Sequence, residues 1–525
     1  MLQLPPKRPV RFFNTTGPCR PWEHYMLPTE ERLVGAQLHR YIRDSMYWVL
    51  HAPRQTGKTT FLLDWMRQIN SGDEAIACYV SVERCQGIQE AERSMPGICT
   101  AIQQHAIWSD LPVPDWKTTE ESGMLTEILT NWSAIFAPKP LVILFDEVDV
   151  LVGETLISFL RQLRNGFMKR GAGRFPVSIA LVGMRDLKDY LIAAKDGVAP
   201  NPGSPFNVKS DSVMLSNFTL ADIEKLFAQR TKETGQKITK EAIDYVWEQS
   251  YGQPWIVNSL FARSTMRVLD ESSTETVTLT HIREAREQMV LARETHLDSL
   301  AVRLNEPGIR KMMETLFVGG FDLELANSDA FRVCMDLGLA RLEKGLPSIA
   351  NPIYRETLAR QITFGAQAMI PELEWQWQKP DGSLDMDTLM QEFQKFWQEN
   401  SETWEEQAQY TEAFPHLLLM AFLQRVLNGG GRIDREYAAG RGRMDLFVEY
   451  GAGKYIIEIK LVHEKQSLNA VKAKGLEQTA KYRNTKAPDA HAYLVIFDRR
   501  IKTREQSWDE RLTWEAENEI TVVGC

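Results

Sequence analysis

Two clusters of residues along this chain have the types and spacings that phosphate chemistry requires. The first begins at His51-Ala52-Pro53-Arg54-Gln55-Thr56-Gly57-Lys58-Thr59-Thr60. It matches the phosphate-loop pattern G-x-x-x-x-G-K-[ST] except at the first position, where Ala52 replaces Gly. Such a loop aims backbone N–H groups at phosphates. Gly57 permits close backbone approach, Lys58 reaches the outer phosphates, and the Thr59 hydroxyl holds Mg²⁺, with Thr60 beside it at the helix start. Downstream, the run Leu141-Val142-Ile143-Leu144-Phe145 ends in two acids. There Asp146 would complete the Mg²⁺ shell and Glu147 would polarise an attacking water. A third run, Val177 to Val182, leads through Gly183-Met184 to Arg185, a candidate for sensing a terminal phosphate, with a surface ion pair as the alternative.

The second cluster lies towards the carboxyl end. Asp445 follows Gly440-Arg441-Gly442-Arg443-Met444 into one strand, and Tyr455-Ile456-Ile457-Glu458-Ile459-Lys460 forms the next. Strand alternation puts Glu458 and Lys460 on one face. A two-residue turn at Gly451-Ala452 sets Asp445 opposite Glu458, whereas a three-residue turn throws it to the other face. Asp445, Glu458 and the Ile459 carbonyl are hard oxygen ligands for Mg²⁺ or Mn²⁺, and Lys460 can orient a metal-activated water, as phosphodiester hydrolysis requires. Glu412 with His416, and Gln478 with Tyr482, each stand one helical turn apart and are accessory candidates. The bland alternatives are a helix-start polar residue for Glu412 ahead of Pro415, a structural His416, and a solvated acid–lysine pair on the sheet surface.

Positioning these residues takes several domains. The 525 residues are 43% hydrophobic, 25% charged and 10% aromatic with 24 Pro, enough apolar material for ordinary cores and unlike a disordered or fibrous chain. With 61 basic and 70 acidic residues, a net charge of −9 excludes nucleic-acid binding by overall charge and leaves only a local basic face. Six scattered Cys without a C-x-x-C pair argue against a disulfide framework or a zinc knuckle. No apolar run approaches a membrane span and no signal-peptide pattern opens the chain, so the expected setting is cytoplasmic, with no membrane partner.

After an amino-terminal segment rich in Pro, Arg and aromatics (Arg11 to Leu27), apolar runs alternate with helical stretches. The runs at Tyr47 to His51, Ala75 to Val80, Leu141 to Phe145, Val177 to Val182 and Ser212 to Leu215 predict a parallel, doubly wound sheet within residues 1–215. From Thr219, the spacing of Ile223, Leu226 and Phe227, then Ala242, Ile243, Val246 and Trp247, predicts a helical lid over 216–300. Residues 301–363 read as a winged helix, with helices at Ile309 to Phe317 and Ala330 to Leu337 and a turn at Lys344-Gly345 between short strands. A connector over 364–404 holds an amphipathic stripe of Met386, Leu389, Met390, Phe393, Phe396 and Trp397. Residues 405–525 form a last α/β domain. Trp375, Trp377, Trp397 and Trp404 read as core packing in preference to a base-stacking platform. The basic residues from Arg432 to Arg443, with Lys472, Lys474, Lys481 and Arg483, form either a nucleic-acid rim or a solvated face.

The phosphate loop, the Asp146-Glu147 strand and the Arg185 segment, with Phe206 and Asn207 and with Tyr251-Gly252-Gln253-Pro254 in the lid, resemble AAA-like and STAND-type ATPases. The archaeal ATPase branch is included, and Asn351-Pro352-Ile353-Tyr354 resembles the end of its winged helix. The resemblance implies that ATP binds with Mg²⁺ and that Gly252 and Pro254 sit beside the nucleotide. No arginine finger stands out: Arg170 and Arg174 read as solvated charge in preference to groups acting across a homo-oligomer interface. Asp445 followed by Glu458-Ile459-Lys460 on the next strand resembles the PD-(D/E)XK nuclease superfamily, implying catalytic roles for those three residues and accessory roles for Glu412 and Gln478.

Together these resemblances imply an α/β chain: an ASCE-type P-loop ATPase parallel sheet with helical lid and winged helix, then a C-terminal restriction-endonuclease-like domain. The implied activity is an ATP-dependent or ATP-regulated nuclease on nucleic acid, DNA foremost, used against invading DNA. Two rivals stand beside it. One is an ATP-driven oligomerising switch whose last domain binds a partner; the other is a DNA-binding initiator or loader with an inactive nuclease fold.

Overall fold

Side chains along four of the five expected runs alternate between two buried faces, and that alternation builds the first sheet. The computed structural model describes residues 10–33, 38–184, 209–270, 275–291, 300, 302–318, 323–362, 377, 379–406, 414–427, 431–435, 438–439, 442–443, 446–500 and 506–525. Strands β1 (Tyr47–His51), β2 (Ile76–Ser81), β3 (Leu141–Asp146), β4 (Ser178–Gly183) and β5 (Lys209–Met214) form a parallel sheet ordered β2-β3-β4-β1-β5. Tyr47, Val49, Cys78, Val80, Ile143, Phe145, Ile179 and Leu181 share one core with the helices Ala91–Trp108, Glu121–Phe136 and Gly153–Phe167. Trp48, Leu50, Ala77, Tyr79, Val142, Leu144, Ala180 and Val182 share the other with the helices Leu38–Arg43 and Lys58–Ser71. Helices on both faces make β1 to β4 apolar along most of their length, and for that reason they stand out as runs, whereas the edge strand β5 (Lys-Ser-Asp-Ser-Val-Met) is largely polar and starts three residues before the run expected from Ser212.

The lid follows β5. Its helices Leu220–Thr234, Lys240–Ser250 and Pro254–Arg263 start at Thr219, which forms a capping box with Asp222, at Thr239, and at Gln253 ahead of a proline in the first helical turn. Phe13 from the amino-terminal segment packs between lid and segment, its ring 5.7 Å from Phe227, 5.0 Å from Phe261 and 4.9 Å from Tyr25. Beyond the lid, the helix Asp329–Asp336 leads into the hairpin β6 (Ala340–Glu343) and β7 (Leu346–Ile349). It turns at Lys344-Gly345, both at positive φ as a two-residue hairpin loop demands.

The chain divides into two units, residues 1–299 with 322–355, and residues 300–321 with 356–525. The segment expected as one winged helix therefore contributes to both. In the second unit β8 (Gly431–Arg435), β11 (Leu446–Tyr450), β12 (Gly453–Val462), β13 (His491–Asp498), β14 (Trp514–Glu517) and β15 (Ile520–Gly524) form a mixed sheet ordered β14-β15-β13-β12-β11-β8. A two-residue pair, β9 (Ala438–Ala439) and β10 (Gly442–Arg443), stands apart. The amphipathic stripe from Met386 to Trp397 is buried on one face of this sheet with Leu446, Val448, Ile457, Ile459 and Phe497. The helix Leu468–Lys486 covers the other face, its Leu476 and Tyr482 packing with Ile456, Val462 and Leu494. Among the described residues no helix is long and apolar enough to cross a membrane.

Candidate functional site

β1 delivers the phosphate loop to the carboxyl edge of the first sheet, where open parallel sheets bind ligands. Gln55 and Gly57 take left-handed conformations, φ 58° and 91°, turning the chain so that a helix opens directly at Lys58. Across the loop the Thr56 hydroxyl donates to the Pro53 carbonyl. Lys58 Nζ donates to the carbonyls of Ala52 at 2.8 Å and Pro53 at 3.0 Å. Burial pushes the Lys58 pKa down, against the pull of Asp146, Glu147 and Asp149. Ala52, the departure from the loop pattern, is fully buried in the core under β1, so its methyl group packs instead of crowding the loop.

β4 separates β1 from β3, and the Asp146 carboxylate at the end of β3 meets the helix after the loop. Thr59 Oγ1 donates to Asp146 Oδ2 at 2.7 Å, the Tyr79 hydroxyl donates to the same oxygen at 3.1 Å, and the Glu147 N–H donates to Oδ1 at 3.0 Å. A hydroxyl and a carboxylate in contact are the hard oxygen donors that Mg²⁺ takes, so the residues fit that ion. Glu147 sits at φ 60°. Burial, with the charges of Asp146 and Asp149 beside it, pushes its pKa up to about 7.

Sequence reasoning missed Asp149. Its Oδ1 is buried without a hydrogen-bond partner among the described residues, and burial raises its pKa. Gly183 at the end of β4 leaves it room, since a Cβ there would stand 2.9 Å from Asp149 Oδ1. The available signal was the three-residue spacing from Asp146.

The lid reaches the loop through a residue that the sequence reading quoted but did not assign. Gly252, at φ 73°, accepts from the Phe218 N–H at 2.8 Å, and Pro254 opens the next helix. Between them, Gln253 caps that helix through Oε1, 2.7 Å from the Ile256 N–H, and donates from Nε2 to the Gln55 carbonyl at 3.4 Å. Arg32 comes from the amino-terminal side. Its Nη2 donates to the Thr56 carbonyl at 2.9 Å and the Ser216 carbonyl at 3.0 Å, with the guanidinium 4.5 Å from the Phe218 ring centre. The hairpin segment also abuts this region: a Cβ on Gly338 would stand 2.8 Å from Pro53, and Arg341 lies 3.5 Å over the Tyr251 ring. Arg170 is committed within its own unit, to the Ser45 carbonyl at 2.9 Å and the Phe167 ring at 3.9 Å, whereas Arg174 is exposed.

In the second unit, β11 and β12 pair from Leu446 with Ile457 to Tyr450 with Gly453. The turn at Gly451-Ala452 is thus the two-residue one from which the sequence argument sets Asp445 against Glu458. Lys460 Nζ lies 2.5 Å from Glu458 Oε1, and the Glu458 side chain is 2% exposed. Both project to the face covered by the helix Leu468–Lys486, while Ile457 and Ile459 enter the opposite core. Gly475 lets that helix approach, since a Cβ there would meet Leu494 at 2.7 Å and Lys460 Cγ at 3.3 Å; nothing local in the sequence marks this glycine. One turn on, Gln478 Oε1 is buried without a hydrogen-bond partner among the described residues.

Asp445, Arg185 and Glu412, with Phe206, Asn207 and Trp375, lie outside the described residues. Trp377 and Trp397 join the second unit's core, as the packing reading expects. Part of the expected basic rim is neutralised: Lys472 pairs with Glu515 at 2.5 Å and Glu517 at 3.0 Å, and Arg483 with Glu519 at 2.7 Å. Lys474 and Lys481 are exposed.

Comparison with known proteins bears on both regions. A family model described as an AAA domain matches residues 42–191, and one described as the PD-(D/E)XK nuclease superfamily matches residues 410–499. Among solved structures, a Walker-type ATPase of Pyrococcus abyssi is similar at 13% identity and a TM-score of 0.45, over 66% of this chain and 99% of its own. The ORC2 protein of Aeropyrum pernix is similar at 13% identity and a TM-score of 0.38, over 62% and 91%. The RuvB Holliday junction branch migration motor of Thermotoga maritima follows at 11% identity and 0.33, over 61% and 90%. No curated protein matches the chain.

Proposed function

We propose that this chain, which joins an AAA P-loop ATPase domain to a C-terminal PD-(D/E)XK nuclease-superfamily domain, is an ATP-regulated, metal-dependent nuclease acting on DNA. The burial of Glu458 carries the reading. A solvated pair on a sheet surface would leave its carboxylate in water, whereas this one is 2% exposed and held 2.5 Å from Lys460. Burying an acid and a lysine costs several kcal/mol of desolvation, roughly, and such groups concentrate where chemistry uses them.

Asp445, Glu458 and the Ile459 carbonyl would hold Mg²⁺ or Mn²⁺. When bound, that ion supplies an acidified water and neutralises charge on the phosphate. Lys460 orients the water, and Gln478 and Glu412 assist. At the first site, the backbone N–H groups from Gln55 to Thr60 with Lys58 would hold the ATP phosphates, and Thr59 with Asp146 would hold Mg²⁺. Glu147 draws the proton of the attacking water, and Arg185 reads the γ-phosphate. Exposed Lys474 and Lys481 suit a nucleic-acid backbone. A nuclease held under nucleotide control suits destruction of invading DNA.

The test is metal-dependent cleavage of plasmid DNA with and without ATP, run beside calorimetric ATP binding. Cleavage should disappear in Lys460→Ala, and binding should disappear in Lys58→Ala. Cutting that persists unchanged in Lys460→Ala sinks the nuclease assignment. The approach of Gly338 to Pro53 and of Arg341 to Tyr251 favours one second reading, an ATP-driven oligomerising switch. Assembly with ATP but without cleavage, measured by sizing chromatography, would select it.

A further inference from the structure

Two consecutive carbonyls of the phosphate loop are each held from elsewhere in the first unit. The Gln55 carbonyl accepts from Gln253 of the lid at 3.4 Å, and the Thr56 carbonyl accepts from Arg32 at 2.9 Å. The same Arg32 nitrogen donates to Ser216 at 3.0 Å, in the segment joining β5 to the lid. That segment is itself bound to the lid, because the Phe218 N–H donates to the Gly252 carbonyl at 2.8 Å. A guanidinium suits this bridge, being planar, always charged and able to lie on an aromatic face as it does on Phe218. Among the described residues no carboxylate oxygen lies within ion-pair distance of it. Asp222 attracts it only from beyond that distance, and phosphates in the adjoining loop would profit from its charge.

We propose that Arg32 is the positioning residue that couples occupancy of the phosphate loop to the orientation of the lid. This coupling rests on the loop being a nucleotide site, as proposed above. Nucleotide phosphates drawing on the loop backbone set the direction of the Thr56 carbonyl; Arg32 passes that setting to Ser216, and the Phe218–Gly252 bond passes it to the lid. Coupling of this kind is reciprocal, so a lid held in the bound orientation tightens ATP binding by the same factor.

The test compares amide hydrogen exchange over residues 216–263 of the full chain, with and without saturating Mg·ATP, in wild type, Arg32→Ala and Arg32→Lys. Wild type should show ATP-dependent protection of the lid. Arg32→Ala should bind ATP about tenfold more weakly and, at saturation, lose that protection. Arg32→Lys, which keeps the charge but not the planar fork, should recover most of the affinity without the protection. A purely structural role would move the melting temperature and leave the ATP-dependent difference intact. Full lid protection at saturation in either variant overturns the proposal. Where Arg32→Ala does not fold, Arg32→Lys alone decides. A wild-type protein that binds no ATP refutes the nucleotide reading itself, a different failure.

Discussion

Gly252→Ala should loosen the lid far more than its size suggests, and Gly235→Ala supplies the control. Both glycines have left-handed backbones, φ 73° and 79°, so an alanine at either costs about 1–2 kcal/mol in backbone strain. They differ in surroundings. A Cβ at Gly235 meets nothing within 4 Å, whereas one at Gly252 would stand 1.8 Å from the Phe218 carbonyl oxygen. That oxygen belongs to the backbone and has to retreat by more than an ångström, which breaks the 2.8 Å bond between the Phe218 N–H and the Gly252 carbonyl. Losing the bond costs about 1 kcal/mol, and the overpacking a further 1–3 kcal/mol or so. The total is about 3–6 kcal/mol against about 1–2 for Gly235→Ala. At about 2–3 °C per kcal/mol for a unit of this size, Gly252→Ala should melt roughly 6–18 °C lower and Gly235→Ala roughly 2–6 °C lower. The assay is thermal unfolding of the full chain by tryptophan fluorescence, scored on the transition that ATP raises. Equal melting temperatures for the two variants, or a Gly252→Ala shift under about 2 °C, would refute the reasoning.

Glu147→Gln should stabilise the nucleotide-free protein at alkaline pH. The folded-state pKa is raised to about 7 from 4.5, so the folded form holds its proton more tightly, and stability falls as pH climbs between those values. Removing the charge should return about 1–2 kcal/mol at pH 8 after discounting for solvent screening, with no gain at pH 4; a melting curve at each pH checks it, and equal shifts at both would contradict the cause. Gly475→Ala should push the helix Leu468–Lys486 off Lys460, costing about 1–3 kcal/mol and lowering DNA cleavage at least tenfold while ATP binding stays at the wild-type value. An unchanged cleavage rate would mean that the close approach of that helix is not needed to hold Lys460.

Most of the parallel sheet was legible because burial on both faces writes β1 to β4 as apolar runs, which the strands follow within a residue; the edge strand β5, polar over Lys209 to Ser212, was caught only at its end. The turn at Gly451-Ala452 was legible only as one of two lengths, and the pairing of Tyr450 with Gly453 selects the two-residue loop. The helix from Met386 showed its core face through periodicity alone. What stayed hidden depends on residues far apart in sequence. Nothing near Arg32 announces Thr56 or Ser216, nothing near Gly475 announces Lys460, and Lys472 and Arg483 looked like free cations until the acids of β14 and the turn after it were seen opposite them. Asp149 is the exception: its spacing from Asp146 was in plain view, but without Gly183 beside it the side chain could not be told from an ordinary helix-start acid.

The order of the two sheets along the chain also sets an order in time. Every strand of the first sheet has been made by Met214, and every strand of the mixed sheet begins after Leu427. Domains generally fold as units during synthesis, amino-terminal ones first. A nascent chain therefore carries the phosphate loop on a finished sheet while Glu458 and Lys460 are still unmade, and Gly338, which packs on that loop, emerges before them as well. On the proposed function, the sheet able to damage DNA leaves the ribosome after the nucleotide-responsive one, and it emerges onto a chain whose phosphate loop is already in place.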